Sequence, residues 1–462
     1  MERTTAKKNK YEIDMCNGTI MDKLISFSLP LMLSGILQLM FNAVDIIVVG
    51  RFSGSQALAA VGSTSALINV FTNLFIGISL GANVLTARFY AAGREKEVSE
   101  TVHTAITLAL VSGIVMALVG LVFSKGALAL MGTPDDVIGL SALYMRIYFL
   151  GMPFFMLYNY GAAILRAVGD TKRPLLFLMI AGVINACLNM VLVIVFKLGV
   201  AGVAIATVIS QMISCVLVLR CLCRSESSYR LRFSELGMKG YYLKQIFSVG
   251  VPAGIQSTVI NFSNVLLQSS VNSFGSTAMA GYTAANNLLG FLYVSVNSIT
   301  QACMSFTSQN YGVGKLKRMD RVLADCMILS VVVAVALGCI CYGFGPEILQ
   351  IYTEDAEVIA CGMEILAYTT ITYFLCGWMD LFPGALRGMG YSAVPMVLSV
   401  IGTVGTRVVW IFGIFPYHRS LAILFISYPA SWIITIILQV VCFYFVRRRV
   451  HRRSQALAGQ EA

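Results

Sequence analysis

Hydrophobic residues run along almost the whole chain in stretches of 20 or more, separated by short polar turns. A run of that length crosses roughly 30 Å of hydrocarbon as a helix. The pattern predicts six spans in the first half, over 24–49, 56–87, 100–124, 137–166, 175–197 and 200–220. Six more follow over 245–273, 277–308, 322–345, 357–386, 395–416 and 420–446. The expectation is therefore an all-α integral membrane protein with 12 transmembrane helices in two six-helix bundles. The first 23 residues are polar, and the apolar run behind them is too long for a signal-peptide core, which predicts a retained first helix. The expected domains are a cytoplasmic segment (1–23), a first lobe (24–220), a cytoplasmic linker (221–244), a second lobe (245–446) and a basic tail (447–462).

The two halves repeat one another. Thr86, Tyr90, Gly93 and Arg94 recur 221 residues later as Thr307, Tyr311, Gly314 and Lys315. Leu165-Arg166-Ala167-Val168-Gly169, with Pro174 beyond, recurs as Leu386-Arg387-Gly388-Met389-Gly390 with Pro395. Nearer the start of each half the offset is 222, pairing Pro30 with Pro252 and Asn42 with Asn264, so one residue is inserted around Ser53. Gly169 and Gly390, each ahead of a proline, are expected to end one helix and start the next. An internal duplication in so apolar a chain is the way transporters place a site between two bundles.

Composition supports this assignment: 58% of residues are hydrophobic and 12% charged, with a mean hydropathy of +0.80. Nearly all Lys and Arg fall at the termini or in loops after even-numbered spans; the exceptions are Arg51, Lys125, Arg146, Lys197, Arg407 and Arg419. The densest clusters are Arg3, Lys7, Lys8 and Lys10, the linker, Lys315 to Arg318, and Arg447 to Arg453. By the positive-inside rule both termini are expected in the cytoplasm. The asymmetry accounts for the net charge of +11, leaving a nucleic-acid partner nothing to explain. The 12 Cys lack ligand spacing and mostly sit in apolar runs, and the three His are scattered, so no metal centre is expected.

Polar residues enter the membrane in stripes. Ser34, Gln38, Asn42 and Asp45 share one face of the first helix, at steps of four, four and three. A carboxylate at that depth costs ~2.5–3.5 kcal/mol on insertion scales and is expected to face a bundle interior or a wet cavity. The second helix carries Asn69 and Asn73, the fifth Asn185 and Asn189, and the sixth Thr207, Ser210 and Gln211. The seventh repeats the stripe without its acid, in Gln256, Asn261, Asn264, Gln268 and Asn272, and the eighth adds Asn297 and Gln301. Singly, such amides commonly just bond neighbouring helices at ~0.6 kcal/mol each; as a set they point to a cavity. Oxygens from Asp45, Asn185, Asn189 and Thr207 suit Na⁺, whereas a proton needs only the carboxylate, whose charged form burial disfavours. Both cations stay open, and no other cofactor is expected. In the second half Asp380 in the tenth helix and Arg407 in the eleventh are expected to pair, either lining the cavity or holding the lobe together.

Those residues carry a family resemblance over nearly the whole length. Asn42-Ala43-Val44-Asp45, Val49-Gly50-Arg51, Ala57-Leu58-Ala59-Ala60-Val61-Gly62, Leu165 to Lys172, and Gly202 to Thr207 with Ser210-Gln211 together resemble the multidrug and toxic compound extrusion (MATE) family. The resemblance implies a V-shaped pair of lobes in a bacterial cytoplasmic membrane. It also implies alternating access and export of organic, commonly cationic amphipathic compounds in exchange for Na⁺ or H⁺. Asp45, Asn185 and Thr207 match an ion site in the N-terminal lobe of one branch, while Asn189 stands where that branch commonly has a second Asp. The other branch keeps a Glu in the seventh helix and an Asp in the tenth. Here Ile260 and Asn261 occupy the first place and Asp380 lies about a turn beyond the second, so that site is not carried over.

Expected partners are small organic substrates and the lipid bilayer, with the chain acting as a monomer. A flippase for lipid-linked sugars is the alternative; phosphate-bearing cargo calls for several cavity cations, and Arg407 alone lies mid-span. A membrane-embedded enzyme would need a nucleophile with a base, or a metal cluster, at membrane depth, and the sequence offers neither.

Overall fold

A computed structural model of the chain describes residues 11–458. Arg3, Lys7, Lys8 and Lys10, the side chain of Arg453 and the end of the basic tail lie outside the described residues. No strand occurs among those described. The first half comprises α1 (Met21–Phe52), α2 (Ser55–Ala91), α3 (Glu95–Leu130), α4 (Asp135–Leu150), α5 (Met152–Ala167), α6 (Lys172–Asn189) and α7 (Gly199–Cys223). A π-helical turn, Met190–Val195, extends α6. The second half comprises α8 (Gly240–Asn272), α9 (Ser276–Gly312), α10 (Leu316–Gly343), α11 (Gly345–Gln350), α12 (Ala356–Thr369), α13 (Tyr373–Gly388), α14 (Ala393–Ser399), α15 (Thr406–Val409) and α16 (Leu421–Ala458). Two π-helical turns, Val400–Gly405 and Trp410–Ile414, flank α15.

Eight spans are long and apolar enough to cross a bilayer, and two bent pairs raise the number to ten. α8 and α9 have the length but fall outside that set, their apolar runs interrupted by the Asn and Gln stripes. The twelve expected spans are therefore not reached on length and composition alone. The bent pairs correct the straight helices expected over 137–166 and 357–386. α4 and α5 meet at 47°, where Gly151 precedes Pro153, a residue with no backbone N–H to continue the helix. α12 and α13 meet at 51°. There the Thr369, Thr370 and Thr372 hydroxyls turn back onto carbonyls four residues earlier, at 2.7, 2.6 and 2.8 Å, a habit that bends helices. Large apolar side chains lie on the outside, with Val122 68%, Val195 70% and Phe412 71% exposed, as suits lipid rather than water.

The chain divides into two compact units. One holds the residues through Ile13 with Leu33–Val251; the other holds Asp14–Met32 with the chain from Pro252 onward. The expected lobes, 24–220 and 245–446, differ from this division inside two helices. α1 and α8 each change unit beside their internal proline, Pro30 and Pro252. In the first unit the opening turns of α8 lie on α2, with Phe89 edge-on to Tyr242 at 6.1 Å. In the second unit the opening turns of α1 lie on α9, with Phe27 edge-on to Phe306 at 5.7 Å.

The segment ahead of α1 is anchored by the repeated motifs. In the first unit the Glu12 carboxylate accepts from Tyr90 at 2.8 Å and Tyr229 at 2.7 Å, and Ile13 N–H donates to Gly169 O at 3.3 Å. Gly169 has φ +97°, and a Cβ there would lie 2.6 Å from Ile13 O, so both conformation and space require glycine. The adjoining Asp170 is fully buried; burial pushes its carboxyl up, against the lowering pull of its neighbour Arg173. In the second unit Asn310 donates to Met15 O at 3.1 Å, and Lys315 to Cys16 O at 2.9 Å.

Candidate functional site

Three helices of the first unit converge on Asp45. α6 runs uninterrupted through Asn185 and Asn189, one turn apart, and converts to π geometry at the next residue. Such turns recur at functional positions. Asn189 is fully buried and Asn185 is 5% exposed. The Asn189 amide nitrogen donates to Asp45 Oδ1 at 2.5 Å and to Asn185 Oδ1 at 3.1 Å. From α7, the Thr207 hydroxyl lies 3.4 Å from Asp45 Oδ2 and 3.0 Å from Val203 O. With one proton to give, it binds the carboxylate weakly. α1 can approach α6 because Gly182 leaves room for the Phe41 ring, which occupies the place a Cβ would take.

Asp45 has no Lys, Arg or His within ion-pair distance among the described residues. Among the described residues its charge is met by amide and hydroxyl dipoles, and the buried Asn189 Oδ1 finds no hydrogen-bond donor. Asp45 Oδ1 and Oδ2, Asn185 Oδ1, Asn189 Oδ1 and Thr207 Oγ1 are thus five oxygens on three adjacent helices. Such a set has the hard-oxygen chemistry of an alkali-cation site, and the carboxylate alone can hold a proton. Tyr144 and Tyr148 of α4, stacked at 6.1 Å, lie within electrostatic reach of Asp45. They went unnoticed in the sequence, where aromatic residues in an apolar run read as packing.

The stripe on α1 does not assemble on the carboxylate. Gln38, Asn42, Asn69 and Asn73 make no hydrogen bond to Asp45; Gln38, Asn42 and Asn69 are exposed, and Ser34 and Asn73 are half-buried. In the second unit the polar residues mostly satisfy one another. Gln268 donates to Asn272 at 3.3 Å and Gln301 to Asn297 at 3.1 Å, both one turn apart. Gln256 is buried and accepts from Arg387 Nη2 at 2.7 Å, a partner the repeat motif contained but did not reveal. Asn261 is exposed.

The expected pairing of Asp380 with Arg407 is not made. Arg407 Nη1 donates to Asn264 Oδ1 at 2.7 Å and to Ser263 Oγ at 3.3 Å, and its guanidinium lies 4.7 Å from the Tyr428 ring centroid. Asp380 instead feels Arg387, two turns along the same helix. The two π turns around α15 set the face on which Arg407 emerges, and a uniform 3.6-residue period does not anticipate that.

The sequence model of the MatE family matches twice, over residues 30–191 and 252–412, once in each copy of the repeat. The probable multidrug resistance protein YoeA of Bacillus subtilis is 32% identical, the match covering 92% of this chain and 93% of that protein. The multidrug export protein MepA of Staphylococcus aureus is 22% identical, over 82% of this chain and 84% of its own. Among solved structures, MATE in complex with MaL6 superposes with a TM-score of 0.87 at 20% identity, covering 96% of this chain and 98% of the other. An outward-facing multidrug resistance MATE family transporter superposes equally well, at 0.87 and 19% identity, covering 97% of this chain and all of that one. The chain belongs to the MATE family, and is accordingly a multi-pass bacterial membrane transporter and not an enzyme.

Proposed function

We propose that this transporter exports organic, cationic amphipathic compounds in exchange for a cation, Na⁺ or H⁺, loaded at Asp45. The reading of the cargo draws on relatives named for multidrug resistance and multidrug export. The observation that carries the exchange step is Asp45 itself, a carboxylate with amide and hydroxyl partners but no cationic one among the described residues. A half-buried acid within a membrane span, left ionised without a counter-charge, is costly, so the site favours loading a cation. Loading removes the charge that Asn189 and Thr207 now solvate and changes what holds α1 to α6 and α7. α1 has Pro30 and Gly35 within it, which weaken its hydrogen-bond ladder and let it bend. Alternating access then consists of cation-dependent rearrangement of α1, with the membrane potential adding ~2.3 kcal/mol per inward charge per 100 mV.

The test is dye efflux from proteoliposomes carrying an imposed Na⁺ or pH gradient. Transport is expected to follow one of those gradients and to vanish in Asp45→Asn while the protein still reconstitutes. Gradient-driven transport that survives in Asp45→Asn removes the acid from the coupling step.

A further inference from the structure

The second unit contains the counterpart of the Asp45 site, with its charge reversed. At the repeat offsets of 222 for α1 and 221 beyond it, Asp45 corresponds to Leu267, Asn185 to Thr406, Asn189 to Trp410 and Thr207 to Tyr428. Local structure supports this register. Ser210 Oγ bonds Thr207 O at 2.8 Å, and its counterpart Ser431 Oγ bonds Tyr428 O at 2.8 Å. The π turn at Met190–Val195 has its counterpart at Trp410–Ile414. Every oxygen ligand but one has been replaced by an apolar or aromatic side chain, and Thr406 is the exception.

Arg407 stands one residue from the Asn185 position. It is 3% exposed and joins the same three elements. It donates to Asn264 and Ser263 of α8, stands on the α6 counterpart, and stacks on Tyr428 of α16. Tyr428 is fixed in turn by Tyr282, hydroxyl to hydroxyl at 2.9 Å. No acid lies within ion-pair distance of Arg407 among the described residues. A guanidinium keeps its charge in proteins, so this cation neither leaves nor exchanges.

We propose that Arg407 is a built-in cation, occupying in the second unit the place where the first unit takes its cation from solution. The second unit then loads no cation there, and Asp45 alone cycles. The assignment of Asp45 as the exchanging site is the reading given above, and the test separates the two.

Purified Arg407→Ala is expected to melt at a lower temperature than the parent and to recover most of that loss with added guanidinium. Urea, the neutral analogue of the same shape, is expected to restore nothing. Arg407→Lys is expected to retain transport, whereas Arg407→Met, similar in length and uncharged, loses it. No recovery, equal recovery by urea, or a fully active Arg407→Met overturns the proposal. Should Arg407→Ala fail to purify, the Lys and Met variants decide, because equal behaviour of the two removes the charge from the argument. Asp45→Asn, melted alongside, is expected to show no response to guanidinium beyond that of the parent, so a failed coupling site and a failed built-in cation give different results.

Discussion

Asn189→Asp places a second carboxylate against the first. The Asn189 amide nitrogen lies 2.5 Å from Asp45 Oδ1, which sets the two carboxyl groups about 4 Å apart centre to centre. At an effective dielectric constant of 20, unit charges at that separation interact by about 4 kcal/mol. With both acids ionised this is repulsion; a cation between them gains a second attraction of the same size. Tenfold per 1.4 kcal/mol sets a ceiling of roughly a thousandfold on the gain in cation affinity. Losing the amide donor to Asn185 Oδ1 at 3.1 Å subtracts about 1 kcal/mol. The variant is thus expected to bind its cation ten- to several-hundredfold more tightly and to turn over more slowly, because release becomes limiting. The assay is cation-dependent thermal stabilisation of the purified protein, titrated with Na⁺ at fixed pH and with pH at fixed Na⁺, together with efflux rates. A half-saturation unchanged for both ions would refute the reasoning, since no ligand of the loaded cation can gain a full charge at that distance without effect.

Two further substitutions probe different parts of the account. Thr207→Val removes the 3.4 Å contact to Asp45 along with the hydroxyl's bond to Val203 O in its own helix, so cation affinity is expected to fall by no more than about fivefold, under ~1 kcal/mol, in the same titration. Gly169→Ala forces a Cβ to within 2.6 Å of Ile13 O at φ +97° and is expected to cost about 1–3 kcal/mol, read as a lower melting temperature and easier proteolysis ahead of α1.

Much of this architecture was legible because a membrane leaves few choices. Helices are forced by the need to satisfy the backbone in lipid, and the repeat announced itself through Gly169 and Gly390, which carry φ +97° and +90°. The residues around Asp45 were legible individually because polar groups in apolar runs stand out. Periodicity shows which residues share a face of their own helix, but not which neighbour that face meets. Asn42 therefore reads as a companion of Asp45 from its spacing, yet it is exposed, while the bond to Asp45 comes from Asn189, 144 residues away. The partner of Arg407 was misread for the same reason, compounded by π turns that rotate a face without any sequence mark. The breaks at Gly151 and Thr370 passed unseen because both lie within runs apolar enough to count as one span. Phe41 against Gly182 shows how small a cue can set an approach, since one missing methyl lets α1 reach α6.

The central claim is that Asp45 holds a cation that cargo displaces. The direct measurement is the Na⁺ or proton released when a transported dye is added to purified protein, compared with Asp45→Asn. Stoichiometric release from the parent and none from the variant is the predicted result. Equal release from both would contradict it.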